Sequence, residues 1–186
     1  SGELGVVIAP TGAGKSMALA HFGAHAVKAG KNVVHYTLEL SESVTGQRYD
    51  SCLSSVPLST LFARKDEVLE SISDLEGSLL IKEYPTKTAS CNTIRAHLEK
   101  LKKRKQKIDM IIVDYADLLR PTTSFKEKRD ELGSIYEDLR AISQEYKCPI
   151  WTASQTNRTG LNAEVITMES ISEAFNKCFV ADFICS

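Results

Sequence analysis

The stretch LGVVIAPTGAGKS, residues 4–16, decides the fold because its pattern changes twice within a short distance. It opens as an apolar run rich in β-branched residues, turns through Gly12 and Gly14, and continues into a helical pattern. A buried strand, a glycine-rich turn and a helix start in this order form a Walker A loop, in which backbone N–H groups and the helix dipole surround a phosphate chain. The stretch therefore predicts a nucleotide-binding α/β domain.

The residues of this loop each have a predicted role. Lys15 is expected to neutralise the β- and γ-phosphates of ATP, and the Ser16 hydroxyl is expected to bind Mg²⁺. Ala9 stands where the consensus has its first glycine. The alternative interpretation is a glycine-rich turn without a ligand. The residues predicted to contact the nucleotide are Thr11, Gly12, Ala13, Gly14, Lys15 and Ser16.

The remaining chain alternates short apolar runs with longer helical patterns, which is typical of a mainly parallel sheet with helices on both faces. The run MIIV at 110–113 is apolar throughout, as expected for a strand covered on both sides. The predicted strands are Leu4–Ala9, Asn32–Leu38, Ser78–Glu83, Met110–Asp114, Pro149–Ser154 and Val180–Cys185. The predicted helices are Lys15–Ala29, Ser41–Ser55, Asp66–Leu75, Asn92–Lys105, Lys126–Tyr146 and Ser170–Asn176. Long surface loops are predicted at Arg120–Phe125 and Thr156–Thr167.

Length and composition fit one globular domain. The 186 residues contain 42% hydrophobic and 25% charged residues, with no apolar run near the roughly 20 residues that span a bilayer. Five scattered cysteines indicate reduced thiols and a cytoplasmic location. The net charge of −1 gives no global attraction to nucleic acid, so DNA binding would need a local patch or several subunits around a channel.

Three further polar residues follow predicted strands. Asp114 ends the run MIIVD in the manner of a Walker B carboxylate and is predicted to hold Mg²⁺. Glu39 follows VVHYTL and could orient an attacking water, or it could favour the start of the helix near Ser41. Gln155 ends the run IWTASQ, where its amide could distinguish ATP from ADP. From composition alone, the loop after it fits an ordinary connection better.

Together these motifs resemble the ATPase domain of DnaB-type hexameric replicative helicases. The resemblance rests on the Ala-x-x-x-x-Gly-Lys-Ser loop, Leu38-Glu39, the IIVDY run at 111–115 and the SQTNR run at 154–158. Residues 80–86, 150–155 and 166–183 look closer still to the replicative helicases of large tailed phages. The family likeness implies a RecA-like P-loop core, with Glu39 as the catalytic carboxylate and Gln155 as the γ-phosphate-linked glutamine.

The resemblance also implies partners and missing parts. It implies a ring of six subunits with ATP between neighbours, single-stranded DNA in the channel, and a primase and a helicase loader as candidate partners. The residues that match the DNA-binding loop are Asn157, Arg158, Thr159 and Gly160. We expect the chain to be a fragment that lacks an N-terminal domain, the end of the core and the arginine finger. Alone it should bind ATP but hydrolyse it poorly. A phage origin would place it in the host cytoplasm.

Two other functions remain open at this point. The core motifs are shared with RecA/RadA-type recombinases, which form filaments on DNA without unwinding it. A non-catalytic ATP switch that recruits partners would bind ATP without stimulation by DNA. The same family matching places Arg48 at a recurring arginine, for which a structural role is the better prediction, and Asp117 is predicted to lie at the surface or beside the site. The basic run at 99–107 fits a solvated helix end better than a DNA contact.

Overall fold

A six-stranded parallel sheet organises the described part of the chain. The computed structural model describes residues 2–123, 126–155 and 180–186, including all their side chains except those of residues 128 and 129. The strands are β1 Leu4–Ala9, β2 Asn32–Thr37, β3 Ser78–Glu83, β4 Met110–Asp114, β5 Ile150–Gln155 and β6 Phe183–Cys185. The helices are α1 Lys15–Lys28, α2 Glu42–Ser54, α3 Lys65–Ser73, α4 Cys91–Lys103 and α5 Lys128–Tyr146, with short 3-10 turns at Leu58–Thr60 and Ala116–Leu118.

The strands lie in the order β3-β2-β4-β5-β1-β6, and every neighbouring pair is parallel. The P-loop strand β1 is thus separated from β4 by β5. Ala9 pairs with Gln155 at one end of this register, and Thr37 pairs with Asp114 at the same end. Because all strands run in one direction, the residues that follow β1, β2, β4 and β5 meet at one edge of the sheet.

Helices cover both faces, as predicted. Alternate residues of β1, Val6 and Val7, belong to two different buried clusters. The cluster with Val6 includes Leu98 of α4 and Leu139 of α5, whereas the cluster with Val7 includes Leu19 of α1. The apolar character of the central strands on both sides therefore reflects two separate cores.

Local capping chemistry explains where two of the helices begin. Ser41 and Ser90 are N-caps whose hydroxyls accept hydrogen bonds from the N–H groups of Val44 and Thr93, so α2 begins at Glu42 and α4 at Cys91. Helix α5 begins at Lys128, two residues after the predicted start at Lys126. The helix predicted at Ser170–Asn176 and the loop predicted at 156–167 lie outside the described residues.

The prediction of a strand over Val180–Cys185 is wrong in length, because β6 contains only Phe183–Cys185. Asp182 explains the late start. One of its carboxylate oxygens accepts the Leu4 backbone N–H at 3.0 Å, and the other accepts from Arg140 Nη2 at 2.6 Å. A side chain therefore takes the place of a ladder hydrogen bond before the strand begins. Within the described part of the chain, we find no helix with the length and apolar character that a membrane span needs.

Candidate nucleotide-binding and catalytic site

The loop between β1 and α1 has the backbone geometry of a phosphate cradle. Gly12 and Gly14 have φ angles of 81° and 88°, in the left-handed region that favours glycine. A Cβ at either position would meet no atom within 4 Å, so backbone conformation and not crowding requires glycine here. Gly14 is the N-cap of α1, which leaves the first N–H groups of that helix facing the loop. The Ala13 N–H donates to the Pro10 carbonyl at 3.3 Å and closes the turn.

Lys15 lies at the centre of this cradle. Its Nζ donates to the carbonyl oxygens of Ala9 at 2.9 Å and Pro10 at 2.8 Å, and only 8% of the residue is exposed. Burial lowers the pKa of its ammonium, while the nearby carboxylates of Glu39, Asp114 and Asp117 raise it. A buried ammonium beside the N–H groups of the predicted phosphate loop would be suited to neutralise a polyphosphate.

Ser16 and Asp114 join the first turn of α1 to the end of β4. The Ser16 hydroxyl donates to Asp114 Oδ1 at 3.0 Å, and Asp114 is 1% exposed. Burial raises the pKa of Asp114 to about 6; the Ser16 hydrogen bond opposes this shift, Glu39 adds to it, and Arg48 and Lys15 oppose it. A hydroxyl and a carboxylate oxygen beside the cradle form the oxygen donor set that Mg²⁺ prefers, with water and phosphate oxygens completing its shell. The residues present therefore fit the predicted magnesium site.

Glu39 and Gln155 reach the cradle from the ends of β2 and β5. The Leu38 N–H donates to the Asp114 carbonyl at 2.8 Å, which continues the β2–β4 pairing up to the residue before Glu39. Glu39 and Gln155 both line the cleft above the P-loop. The residues that line this cleft are Thr11, Gly12, Gly14, Lys15, Ser16, Met17, Glu39, Arg48 and Gln155. Of the predicted nucleotide contacts, Ala13 alone is absent from that lining.

Gln155 is held by a residue to which the sequence analysis assigned no role. Its Nε2 donates to the phenol oxygen of Tyr115 at 2.8 Å. Tyr115 follows Asp114 directly and is 8% exposed. Burial and the carboxylates of Glu39, Asp117 and Asp114 raise the pKa of its phenol to about 12. The amide predicted to sense the nucleotide therefore has a defined partner beside the Walker B carboxylate.

Asp117 and Arg48 both lie close to the site; for Asp117 this is one of the two predicted positions, and the structural role of Arg48 stays a prediction. Asp117 accepts from the Tyr136 hydroxyl at 2.8 Å and from the Ser154 hydroxyl at 3.3 Å, and it acts electrostatically on Lys15. Arg48, on α2, lines the cleft and lowers the pKa of Asp114. Neither position has a strong local signal in the sequence. The predicted DNA-binding residues Asn157, Arg158, Thr159 and Gly160 lie outside the described residues.

The fold is that of a RecA-like P-loop ATPase domain, and the predicted phosphate loop, Asp114, Glu39 and Gln155 meet at one edge of its sheet. The chain belongs to a particular family within that class, because residues 1–164 match the DnaB-like helicase C-terminal domain.

Similar proteins agree with this placement. The chain is 30% identical to a DnaB-like replicative helicase of Enterobacteria phage T4 over 99% of the chain, and 24% identical to the replicative DNA helicase DnaB of Helicobacter pylori over 85% of the chain. It spans only 41% and 33% of the lengths of those two proteins.

Two solved structures have the same fold. The first is an ATPase domain that superposes with a TM-score of 0.82 at 17% identity, covering 98% of this chain and 68% of the solved one. The second, a DnaB-like replicative helicase studied with its interactions with primase, gives a TM-score of 0.82 at 16% identity, covering 98% of this chain and 46% of the solved one. The predicted family and fold are therefore confirmed.

Proposed function

We propose that this domain is the ATP-hydrolysing motor of a replicative DNA helicase and that it couples hydrolysis to translocation on single-stranded DNA in the host cytoplasm. The single observation that supports this most strongly is the convergence of Lys15, Glu39, Asp114 and Gln155 at the carboxyl edge of one parallel sheet. A triphosphate seated in the P-loop would meet a cation, a second acid and an amide at its terminal phosphate.

Each residue then has one task. The Lys15 ammonium offsets the charge of the β- and γ-phosphates, and the N–H groups of the cradle orient them. Mg²⁺ supplies further charge stabilisation when it is bound by Ser16 and Asp114. Glu39 orients the attacking water and takes its proton, and Gln155 donates an N–H to the γ-phosphate. Loss of that phosphate would change the position of Gln155 and of the chain that follows it.

We further propose that the domain works in a ring of six, with ATP between neighbours and DNA in the shared channel. This rests on the family and on the names of the relatives, which are replicative helicases. The residues after Gln155, including Asn157, Arg158, Thr159 and Gly160, would contact the DNA. A primase is a partner to test, because a structural neighbour was studied in its interactions with primase. A helicase loader and an arginine supplied by the adjacent subunit complete the proposal.

The test is Lys15→Ala, with ATP binding, ATP turnover and DNA strand separation measured on the complete protein. We expect all three to fall to background, because the phosphates would lose their central cation. Lys28→Ala, at the opposite end of α1, is the matched control and should behave as wild type. Unchanged turnover in Lys15→Ala would refute the nucleotide site. Filament formation on DNA without strand separation would instead favour a recombinase.

A further inference from the structure

We propose that Tyr115 is a positioning residue for Gln155: its phenol oxygen holds the amide so that an N–H group faces the terminal phosphate of ATP. The inference rests on the proposed function, since it concerns the regulation of the same site by the nucleotide. It assigns a role to the last side chain of the IIVDY run, to which the sequence analysis gave none.

Geometry provides the first argument. Gln155 Nε2 donates to the Tyr115 phenol oxygen at 2.8 Å, and Gln155 lines the nucleotide cleft at the same time. An amide nitrogen carries two hydrogens. The bond to Tyr115 uses one of them and leaves the second for a phosphate oxygen. Tyr115 can therefore hold Gln155 without competing with the nucleotide for it.

Electrostatics provides the second argument. An amide has two ends of similar size, of which only the NH₂ end can donate to an anionic phosphate; the carbonyl end would repel it. The Tyr115 phenol oxygen accepts the hydrogen bond from Gln155 Nε2, so the NH₂ end of the amide is the end that meets it. A phenol that accepts this bond selects the NH₂ end of Gln155.

The position in the chain gives this contact a consequence. Tyr115 directly follows the predicted magnesium ligand Asp114 on β4, and Gln155 is the last residue of the neighbouring strand β5. One hydrogen bond thus ties the Walker B segment to the residue from which the chain leaves the site. A long, otherwise flexible side chain is kept in the orientation that can recognise a γ-phosphate.

The experiment compares the dissociation constants of ADP and of the non-hydrolysable analogue AMP-PNP, both with Mg²⁺, in the complete protein. The dissociation constant of ADP divided by that of AMP-PNP measures how strongly the site recognises the γ-phosphate. In Tyr115→Phe we expect the ratio to fall by up to about 10-fold, the upper size for loss of one ordinary hydrogen bond, while the ADP constant stays within about twofold. Gln155→Ala should lower the ratio at least as far. The double variant should go no further than Gln155→Ala, because Tyr115 acts through Gln155.

Tyr36→Phe is the matched control. Its phenol is also buried and loses a hydrogen bond to His97 Nδ1 of 2.9 Å, but it lies within β2 and does not contact Gln155. Its ratio should equal that of wild type, which separates positioning from a general loss of stability. Tyr115→Met provides a second variant if Tyr115→Phe does not fold, and it should show the same fall in the ratio.

The outcomes separate this inference from the function on which it rests. If Lys15→Ala still binds nucleotide, the proposed function fails and this inference fails with it. If Lys15→Ala abolishes binding and Gln155→Ala lowers the ratio but Tyr115→Phe does not, only the role of Tyr115 is overturned. An increased ratio in Tyr115→Phe would also overturn it, since it would mean that the phenol competes with the phosphate for the amide.

Discussion

The Ser16 hydroxyl donates a 3.0 Å hydrogen bond to Asp114 Oδ1, although the two residues are 98 positions apart in the chain. Ser16 lies in the first turn of α1, and Asp114 is the last residue of β4. The strand between β4 and β1 is β5, so α1 must start over the sheet edge for the two oxygens to meet. Ser16 and Asp114 would together supply oxygen donors for a divalent cation at the phosphates.

Asp114→Asn should therefore weaken the dependence of ATP binding on magnesium. In the wild type, added Mg²⁺ should increase both ATP affinity and turnover. In the variant, each of these increases should be about 10²-fold smaller, because a neutral amide lacks the charge that holds the cation. Titration of MgCl₂ at fixed ATP measures this. Asp109→Asn, just before the opposite end of β4, is the control and should keep the wild-type dependence. Equal magnesium curves for Asp114→Asn and wild type would contradict the metal assignment.

Glu39→Gln should separate hydrolysis from binding. The amide keeps the size of the side chain but cannot take a proton from water, and loss of a general base lowers turnover by about 10²- to 10⁴-fold. ATP affinity should change by less than about threefold, because Lys15 and the cradle remain. The measurements are single-turnover hydrolysis and equilibrium binding of ATP. Glu42→Gln, in the first turn of α2, should leave both unchanged. Hydrolysis at the wild-type rate in Glu39→Gln would overturn the catalytic role of Glu39, whereas equal ATP binding with no hydrolysis in either protein would favour the non-catalytic switch.

Local signals explain what could be predicted from the sequence. The glycines, lysine and serine of the Walker A loop lie in one continuous stretch, so the sequence alone identifies residues 9–16 as this loop. Asp114, Glu39 and Gln155 are each the residue at or just after a strand end, and parallel strands bring such ends together. The predicted strands were therefore enough to predict which edge of the sheet carries the site.

The remaining features depend on contacts between elements, which no local pattern specifies. The bond between Gln155 and Tyr115 requires the register of β4 against β5. Arg48 lines the cleft only because α2 packs beside α1. Asp117 accepts a hydrogen bond from Tyr136 only because α5 covers β5. The length of β6 is set by the carboxylate of Asp182, which binds the start of β1 from the far end of the chain.

His35 should make folding sensitive to acid. Its ring is fully buried on β2, with Nδ1 2.9 Å from the Tyr49 phenol oxygen, and burial, assisted by Arg48, lowers its pKa to about 3. The unfolded chain binds the proton near the ordinary pKa of 6.5 and the folded chain does not, so stability is present above pH 6.5 and is lost as the pH falls toward 3. Between pH 7 and pH 5 the loss from this group is about 2 kcal/mol.

The measurement is urea unfolding of wild type and His35→Gln at both pH values in EDTA. Glutamine can still bond to Tyr49 but does not titrate, so the variant should lose about 2 kcal/mol less between pH 7 and pH 5. Asp114 acts in the opposite direction, because its raised pKa of about 6 makes the folded state bind the extra proton. That contribution is common to both proteins and cancels in the comparison. If the free energy of unfolding fell equally in both proteins between pH 7 and pH 5, His35 would have to bind a proton in the folded state as readily as in the unfolded state.

Gly23 and Gly46 should respond in opposite ways to the same substitution. Both lie inside helices, where alanine ordinarily stabilises by about 1 kcal/mol relative to glycine. A Cβ at Gly46 would first meet Ile81 Cδ1 at 3.9 Å, an ordinary contact. A Cβ at Gly23 would overlap the phenol of Tyr49, which is 1% exposed and held by His35, so it cannot move away easily.

Gly46→Ala should therefore raise the free energy of unfolding by up to about 1 kcal/mol, whereas Gly23→Ala should lower it by about 1–3 kcal/mol, the usual cost of overpacking a core. Urea denaturation of both variants beside wild type measures the difference. Because Tyr49 is adjacent to Arg48, displacement of α2 in Gly23→Ala should also weaken ATP binding, which Gly46→Ala should leave unchanged. If Gly23→Ala were as stable as wild type and bound ATP normally, α1 and α2 would not be packed as closely as this contact requires.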